Sequence, residues 1–100
     1  MKKQEWKDPS GLLHRKNGPA VINGNGDKFY YEHGLLHRLN GPAIMLANGT
    51  KIYMRRHLIH RDNGPAVIKP NGKKEFWINN FQLKNIKSTA ELIIYLLNKY

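Results

Sequence analysis

A chain of 100 residues is one domain's length, with room for a modest core. It has no cysteine, which excludes disulfides and thiolate metal sites, and its longest apolar run, Leu92 to Leu97, is too short to span a bilayer. Seventeen Lys and Arg against seven Asp and Glu give a net charge of +10, a surface that attracts polyanions, while an aromatic content of 10% argues against a disordered basic tail.

Met1-Lys2-Lys3 leads into polar residues, so no signal peptide is expected. Glu5-Trp6-Lys7 reads as the second half of an incomplete first unit. A full unit begins at Gly11-Leu-Leu-His-Arg-Lys-Asn-Gly-Pro-Ala-Val-Ile22. It returns as Gly34-Leu-Leu-His-Arg-Leu-Asn-Gly-Pro-Ala-Ile-Met45 and as His57-Leu-Ile-His-Arg-Asp-Asn-Gly-Pro-Ala-Val-Ile68, with a spacing of 23 both times. A second Asn-Gly follows in each copy, at Asn25-Gly26, Asn48-Gly49 and Asn71-Gly72. After it come a lysine (Lys28, Lys51, Lys74) and an aromatic (Tyr30, Tyr53, Phe76), and a degenerate fourth copy opens at Asn80-Phe81-Gln82-Leu83.

Seven of the nine glycines follow Asn, the preferred pair for type I′ hairpin turns with both central residues at positive φ. Between them lie β-forming runs such as Pro19-Ala-Val-Ile22, Lys28-Phe-Tyr-Tyr-Glu32, Lys51-Ile-Tyr-Met54 and Glu75-Phe-Trp-Ile78. One copy is therefore about two strands, and the fold class is mainly β: a meander of antiparallel hairpins in a curved single sheet over 5–85. The Gly-Pro pair, lacking one N–H, predicts a bulge or kink inside the longer strand. At the end, Ser88 and Glu91 read as N-cap and N3 of a helix over 88–100 that caps the sheet, all within one domain of residues 1–100. Leu92, Ile93, Leu96, Leu97 and Tyr100 form its apolar face, broadened by Ile94 and Tyr95. A helix this apolar predicts cover from the sheet's open edge and from a second copy, with Leu92, Ile93, Ile94, Tyr95, Leu96 and Leu97 as dimerisation residues.

Tyr31-Glu-His-Gly34, His37, Gly41, Gly49 and Tyr53 fall where a MORN repeat has its Tyr-x-x-Gly, His, Gly, Gly and aromatic positions, and the period matches. The His-Arg-x-Asn-Gly-Pro-Ala form resembles the variant in repeat proteins of large phages and giant viruses, and is similar to the repeats of YwqK-type antitoxins. The resemblance covers about residues 5 to 85 and departs from the usual pattern at Arg15, Arg38 and Arg61, where a second Gly is common. It implies a fold of three to four MORN-like repeats, and a role in protein binding, dimerisation or membrane association. It also implies a toxin or defence-protein target for a phage-type inhibitor. The polar N-terminus, the lack of cysteine and the short apolar run separately lead to the expectation of a soluble, cytoplasmic protein, of the host cell if viral.

His14, His37 and His60 recur about 10 Å apart, two strands each, which is too far to share one zinc ion; no metal and no cofactor are expected. They read as hydrogen-bonding residues that pin turns. Arg15, Arg38 and Arg61 either serve the scaffold, by donating to backbone carbonyls or by stacking on the neighbouring copy's aromatic ring, or form a row of guanidinium groups for successive phosphates. Lys28, Lys51 and Lys74 should line up across the sheet; with Arg55, Arg56, Lys69, Lys73 and the three repeat arginines they are the candidate nucleic-acid-binding residues. Tyr30, Tyr31, Tyr53, Phe76 and Trp77 are either core or stacking faces for bases. The seven acids form no recognisable pair, and there is no nucleophile elbow or phosphate loop, so no catalytic residue is expected. The expected function is non-enzymatic binding of a polyanion, RNA ahead of DNA, with a protein-binding inhibitor as the alternative and anionic lipid as a third.

Overall fold

A computed structural model describes residues 2–99. Tyr100, expected on the apolar helix face, lies outside the described residues, as does Met1. Strand β1 (Gln4–Glu5) belongs to the incomplete first unit. The next copy supplies β2 (Val21–Ile22), β3 (Lys28–Phe29), β4 (Tyr31–Glu32) and β5 (Leu35–Leu36). Then come β6 (Ile44–Met45), β7 (Lys51–Ile52), β8 (Met54–Arg55) and β9 (Leu58–Ile59), and after them β10 (Val67–Ile68), β11 (Lys74–Glu75), β12 (Trp77–Ile78) and β13 (Phe81–Gln82). Seven strands form one open antiparallel sheet in the order β1-β2-β3-β6-β7-β10-β11, and the other six make three hairpins, β4–β5, β8–β9 and β12–β13. The chain is mainly β, a meander sheet with small hairpins and one C-terminal helix, α1 (Thr89–Lys99).

Each copy thus feeds two pairings rather than the one expected from its sequence, and the central aromatic is the junction. Tyr30 N–H donates to Ala43 in the sheet (2.7 Å), while its carbonyl accepts from His37 in its own hairpin (3.0 Å). Tyr53 does the same with Ala66 (2.7 Å) and His60 (3.1 Å). The two rows of paired residues explain the alternation in the strands. One face carries Val21, Phe29, Ile44, Ile52 and Val67 in register; the other carries Ile22, Lys28, Met45, Lys51, Ile68 and Lys74. Ala20, Ala43 and Ala66 of the Asn-Gly-Pro-Ala segments are fully buried, which leaves no room for a larger side chain.

The turns correct the expected assignment. The type I′ positions, with two residues at positive φ between two-residue strands, are His33-Gly34 (46° and 86°), Arg56-His57 (47° and 71°) and Asn79-Asn80 (45° and 72°). None of these is an Asn-Gly pair. Asn25-Gly26, Asn48-Gly49 and Asn71-Gly72 instead end three-residue loops. In these, Gly26, Gly49 and Gly72 donate back to Asn23, Leu46 and Lys69 (3.0, 2.9 and 2.9 Å), a type I turn closed by a positive-φ glycine. Loop length decides this, because the extra residue moves positive φ from both central positions to the last one alone. Asn25, Asn48 and Asn71 hold the turns with Oδ1, which accepts from Asp27, Thr50 and Lys73 N–H (3.1, 2.9 and 3.0 Å). The Gly-Pro pairs lie outside the strands: the chain leaves the ladder over residues 15–19 and rejoins it at Ala20, and the later copies repeat this.

Helix α1 begins where the next sheet strand is due, since Thr89 stands 23 residues after Ala66. Ser88 caps it: Ser88 Oγ accepts from Glu91 N–H (3.1 Å) and Leu92 N–H makes the first helical bond to Ser88 (3.1 Å). No helix among the described residues is long and apolar enough to cross a membrane.

The turn geometry makes one prediction. Gly49 sits at φ 98° with open space where a Cβ would project, so Gly49→Ala strains the backbone and touches nothing else. Urea unfolding is expected to show a loss of about 1–2 kcal/mol, and Gly49→Asn should recover part of it because Asn tolerates positive φ.

Candidate nucleic-acid interface

The repeated arginines are built into the scaffold. Arg15 stacks on Trp6 (3.8 Å from Cζ to the ring centre), Arg38 on Tyr30 (3.9 Å) and Arg61 on Tyr53 (3.9 Å). One nitrogen of each donates to the proline carbonyl four residues on: Pro19 (3.2 Å), Pro42 (3.1 Å) and Pro65 (3.1 Å). The other side of each guanidinium lies on a glycine. A Cβ on Gly18, Gly41 or Gly64 would fall 3.0, 2.8 or 2.7 Å from that Cζ. The two contacts that the sequence offers as alternatives for a scaffold arginine are therefore made together in all three copies.

The histidines pin turns, though each holds the next copy's turn rather than the one beside it. Nδ1 of His14, His37 and His60 accepts the backbone N–H of His33 (3.1 Å), Arg56 (3.0 Å) and Asn79 (3.0 Å), the first positive-φ residue of each following hairpin. The next residue of each turn, Gly34, His57 or Asn80, donates its N–H to the preceding copy at Leu13, Leu36 or Ile59 (2.8, 2.7 and 2.8 Å). Because Nδ1 accepts, the His60 proton sits on Nε2, which donates to Asp62 (2.8 Å).

The register lines up Lys28, Lys51 and Lys74 in one row with Ile22, Met45 and Ile68 between them. The three lysines are exposed, and no carboxylate belongs to that row. Lys69 and Lys73 face each other across the β10–β11 turn beside Lys74, with Lys69 paired to Glu75 (3.0 Å). Arg55 and Arg56 lie elsewhere, at the β8–β9 hairpin, about 13 Å along the strand from Lys51. Arg55 is paired with Asp62 (3.0 Å), whereas Arg56 is exposed at its turn. The candidate cations thus form a lysine row at one end of the strands and an arginine pair at the other, with the scaffold arginines between.

Of the aromatics, Phe76 is buried, Tyr30 and Tyr53 lie under arginines, and Tyr31 and Trp77 are half-buried; Trp77 Nε1–H donates to Glu75 (3.0 Å). None of these five stands fully exposed; Phe81, which sequence reasoning passed over as a stacking face, is 75% exposed at the β12–β13 hairpin. On the helix, Leu92 is fully buried within the chain and so cannot meet a second copy. Tyr95 and Leu96 are half-buried, leaving Ile93, Ile94 and Leu97 exposed at 45%, 59% and 73%.

Sequence reasoning passed over Asp8. Its carboxylate accepts from Ser10 Oγ (2.6 Å), Ser10 N–H (2.9 Å), Leu12 N–H (3.0 Å) and His33 Nδ1 (2.7 Å), and His33 stacks on His14 at 4.0 Å. The signal was the Asp-Pro-Ser-Gly turn itself. The Ser10 hydroxyl and then His33 hold Asp8 far below the usual carboxylate range. Asp62 is also lowered: burial pushes it up, but its hydrogen bonds and charge contacts with Arg55 and His60 outweigh that. Glu75 is lowered by the Trp77 indole and by Lys69.

Two outcomes follow from this geometry. A carboxylate depressed in the folded state stabilises above its unfolded pKa and loses that effect as pH falls, so melting temperature should drop through the acid range. Asp8→Asn should start lower at pH 7 and fall less steeply on acidification, as read by thermal melts at each pH. Separately, Arg38→Ala should destabilise by about 2 kcal/mol or more through lost stacking and an unmatched carbonyl, and Arg38→Lys should not restore the full value in denaturant titrations.

No family model, curated protein or solved structure matches the chain.

Proposed function

We propose that this is a non-enzymatic nucleic-acid-binding protein, RNA ahead of DNA, that holds its ligand chiefly through phosphates. The observation that carries the reading is the acid-free row of Lys28, Lys51 and Lys74, spaced two strands apart on one face of a chain of net charge +10. Cations about 10 Å apart on a rigid sheet can meet phosphates of one strand without rearrangement. The fold supports single strands or shaped RNA over a DNA major groove, because its one helix ends the array and its cations lie on the sheet and hairpins. Kinship with MORN-like repeats belongs to the same proposal; the 23-residue period and the hairpin meander support it, and with it the inhibitor of a toxin or defence protein as the biological setting.

A second reading is a dimeric protein-binding scaffold, favoured by the exposed Ile93, Ile94 and Leu97 on α1. Light scattering tests it: a dimer that Ile94→Lys with Leu97→Lys converts to monomer supports the helix as the interface, and a monomeric wild type removes it.

For the main reading, affinity for a single-stranded RNA is measured against salt. Replacing Lys28, Lys51 and Lys74 by Ala should reduce the slope of log K against log salt by about 2, near 0.7 for each lost phosphate contact. Arg55→Glu with Arg56→Glu should weaken binding without unfolding the sheet. A wild type that binds neither RNA nor DNA at low salt ends the proposal.

A further inference from the structure

The repeat builds two equivalent clefts, one period apart. The first, about 370 Å³, lies between the Asn17 and Asn40 loops; the second, about 400 Å³, lies between the Asn40 and Asn63 loops. Every lining position of the first recurs in the second at a shift of 23, with Tyr30 and Arg38 matched by Tyr53 and Arg61, although Tyr31, Glu32 and Leu39 give way to Met54, Arg55 and Asp62. Arg38, Leu39 and Asn40 form the wall between them, and Leu39 stands 79% exposed on it.

The asparagines are the unexplained part. In each copy the second Asn holds its own turn through Oδ1. The first, Asn17, Asn40 or Asn63, is exposed, and its amide bonds to none of the described residues. Gly and Pro of the same motif are accounted for by the arginine contacts, yet nothing in the scaffold requires these carboxamides. Arg38 and Arg61 each use one nitrogen on a proline carbonyl, which leaves N–H groups without a protein acceptor. Each cleft also holds one carboxylate: Glu32 in the first, beside His37 at 3.6 Å, and Asp62 in the second, already paired with Arg55 and His60 and keeping only its remaining lone pairs for a ligand.

The linings also carry cations, Lys16 and Arg38 in the first and Arg38, Arg55 and Arg61 in the second, so a phosphate is not repelled; being an acceptor only, it would leave each amide's Oδ1 unused. The mixture suits a planar ligand with donors and acceptors on its edge, read by an amide that is both donor and acceptor and by a carboxylate that accepts from an exocyclic amino group. We infer that the two clefts are nucleobase subsites for a single-stranded nucleic acid, preferring bases with an exocyclic amino group. The inference rests on the nucleic-acid reading above and divides its labour: lysines and exposed arginines hold phosphates, and the Asn-walled clefts take bases. Leu39 then separates the two bases, as an apolar side chain against their faces.

The test uses the full chain with labelled 12-mers of oligo(A), oligo(U) and an abasic sugar-phosphate strand, at one low salt concentration. Oligo(A) should bind about tenfold or more tighter than the abasic strand, the scale of one or two bases held, and tighter than oligo(U). Asn40→Ala, which alters both clefts, should remove most of that margin while leaving abasic affinity and melting temperature unchanged; Asn17→Ala, at the first cleft alone, should remove less. Equal affinity for oligo(A) and the abasic strand, or for oligo(A) and oligo(U), overturns the subsites and leaves phosphate binding standing. An Asn40→Ala protein that keeps the full margin also overturns them. Failure to bind any strand overturns both readings together.

Discussion

The structure depends on a guanidinium clamped between two copies. Arg38 lies on the Tyr30 ring, donates a hydrogen bond to the Pro42 carbonyl and leaves only a glycine's width at Gly41. Within these few ångströms most of the His-Arg-x-Asn-Gly-Pro-Ala motif is explained: the arginine as clamp, the glycine as clearance, the proline as acceptor, the alanine as the fully buried neighbour. An open sheet has no second layer to bury a stripe of large side chains. Its core must be assembled locally, copy by copy, and that is why the sequence repeats so closely. The backbone adds a second link, since each turn donates both to the preceding histidine and to the preceding carbonyl. Stability in such an array is a sum over neighbouring interfaces.

The ends of the array show what happens without the clamp. In the fourth copy, Leu83 and Lys84 stand where His and Arg would, and Leu83 still donates to Phe76 as each histidine does to its aromatic (2.7 Å). With no arginine above it, the aromatic ring is buried: Phe76 is 3% exposed, whereas Tyr30 and Tyr53 are half-buried. The chain then lacks Gly-Pro-Ala and turns helical at Thr89, where a strand would extend the sheet. Ser-Thr-Ala-Glu stands there instead, and Ser88 caps the helix that replaces the strand.

The period, the antiparallel meander, the terminal helix and the alignment of the lysines were all legible, because each follows from residues close in sequence or from a shift of 23. The turn types were not. Asn-Gly favours type I′, yet the I′ turns fell on His33-Gly34, Arg56-His57 and Asn79-Asn80, because loop length outranks composition and the preceding histidine supplies an acceptor for the turn's N–H. The sequence also left Arg15, Arg38 and Arg61 open between two roles, and only geometry shows the ring beneath and the glycine above. Leu92 read like its neighbours on an apolar helix, but burial depends on where the helix lands, which no local pattern encodes. The amides of Asn17, Asn40 and Asn63 were hidden for the opposite reason: they looked like turn residues until the turns proved to need the other asparagines.

Charge remains to be weighed against this scaffold. The chain carries ten more cations than anions, but its acids are engaged where the fold needs them: Asp8 in its turn, Asp62 with Arg55 and His60, Glu75 with Lys69 and Trp77. The row of Lys28, Lys51 and Lys74 has no such partner within it. Two charges about 10 Å apart in water repel by about 0.4 kcal/mol before screening, and that distance is roughly the Debye length at 0.1 M salt. The cost of the row is small at moderate ionic strength and is spread over a sheet held by clamps that do not involve it. A polyanion laid along the row would relieve that repulsion. Strand pairing sets the lysine spacing and the arginine clamps take no part in it, and that separation lets one surface be highly charged while the sheet beneath it stays ordered.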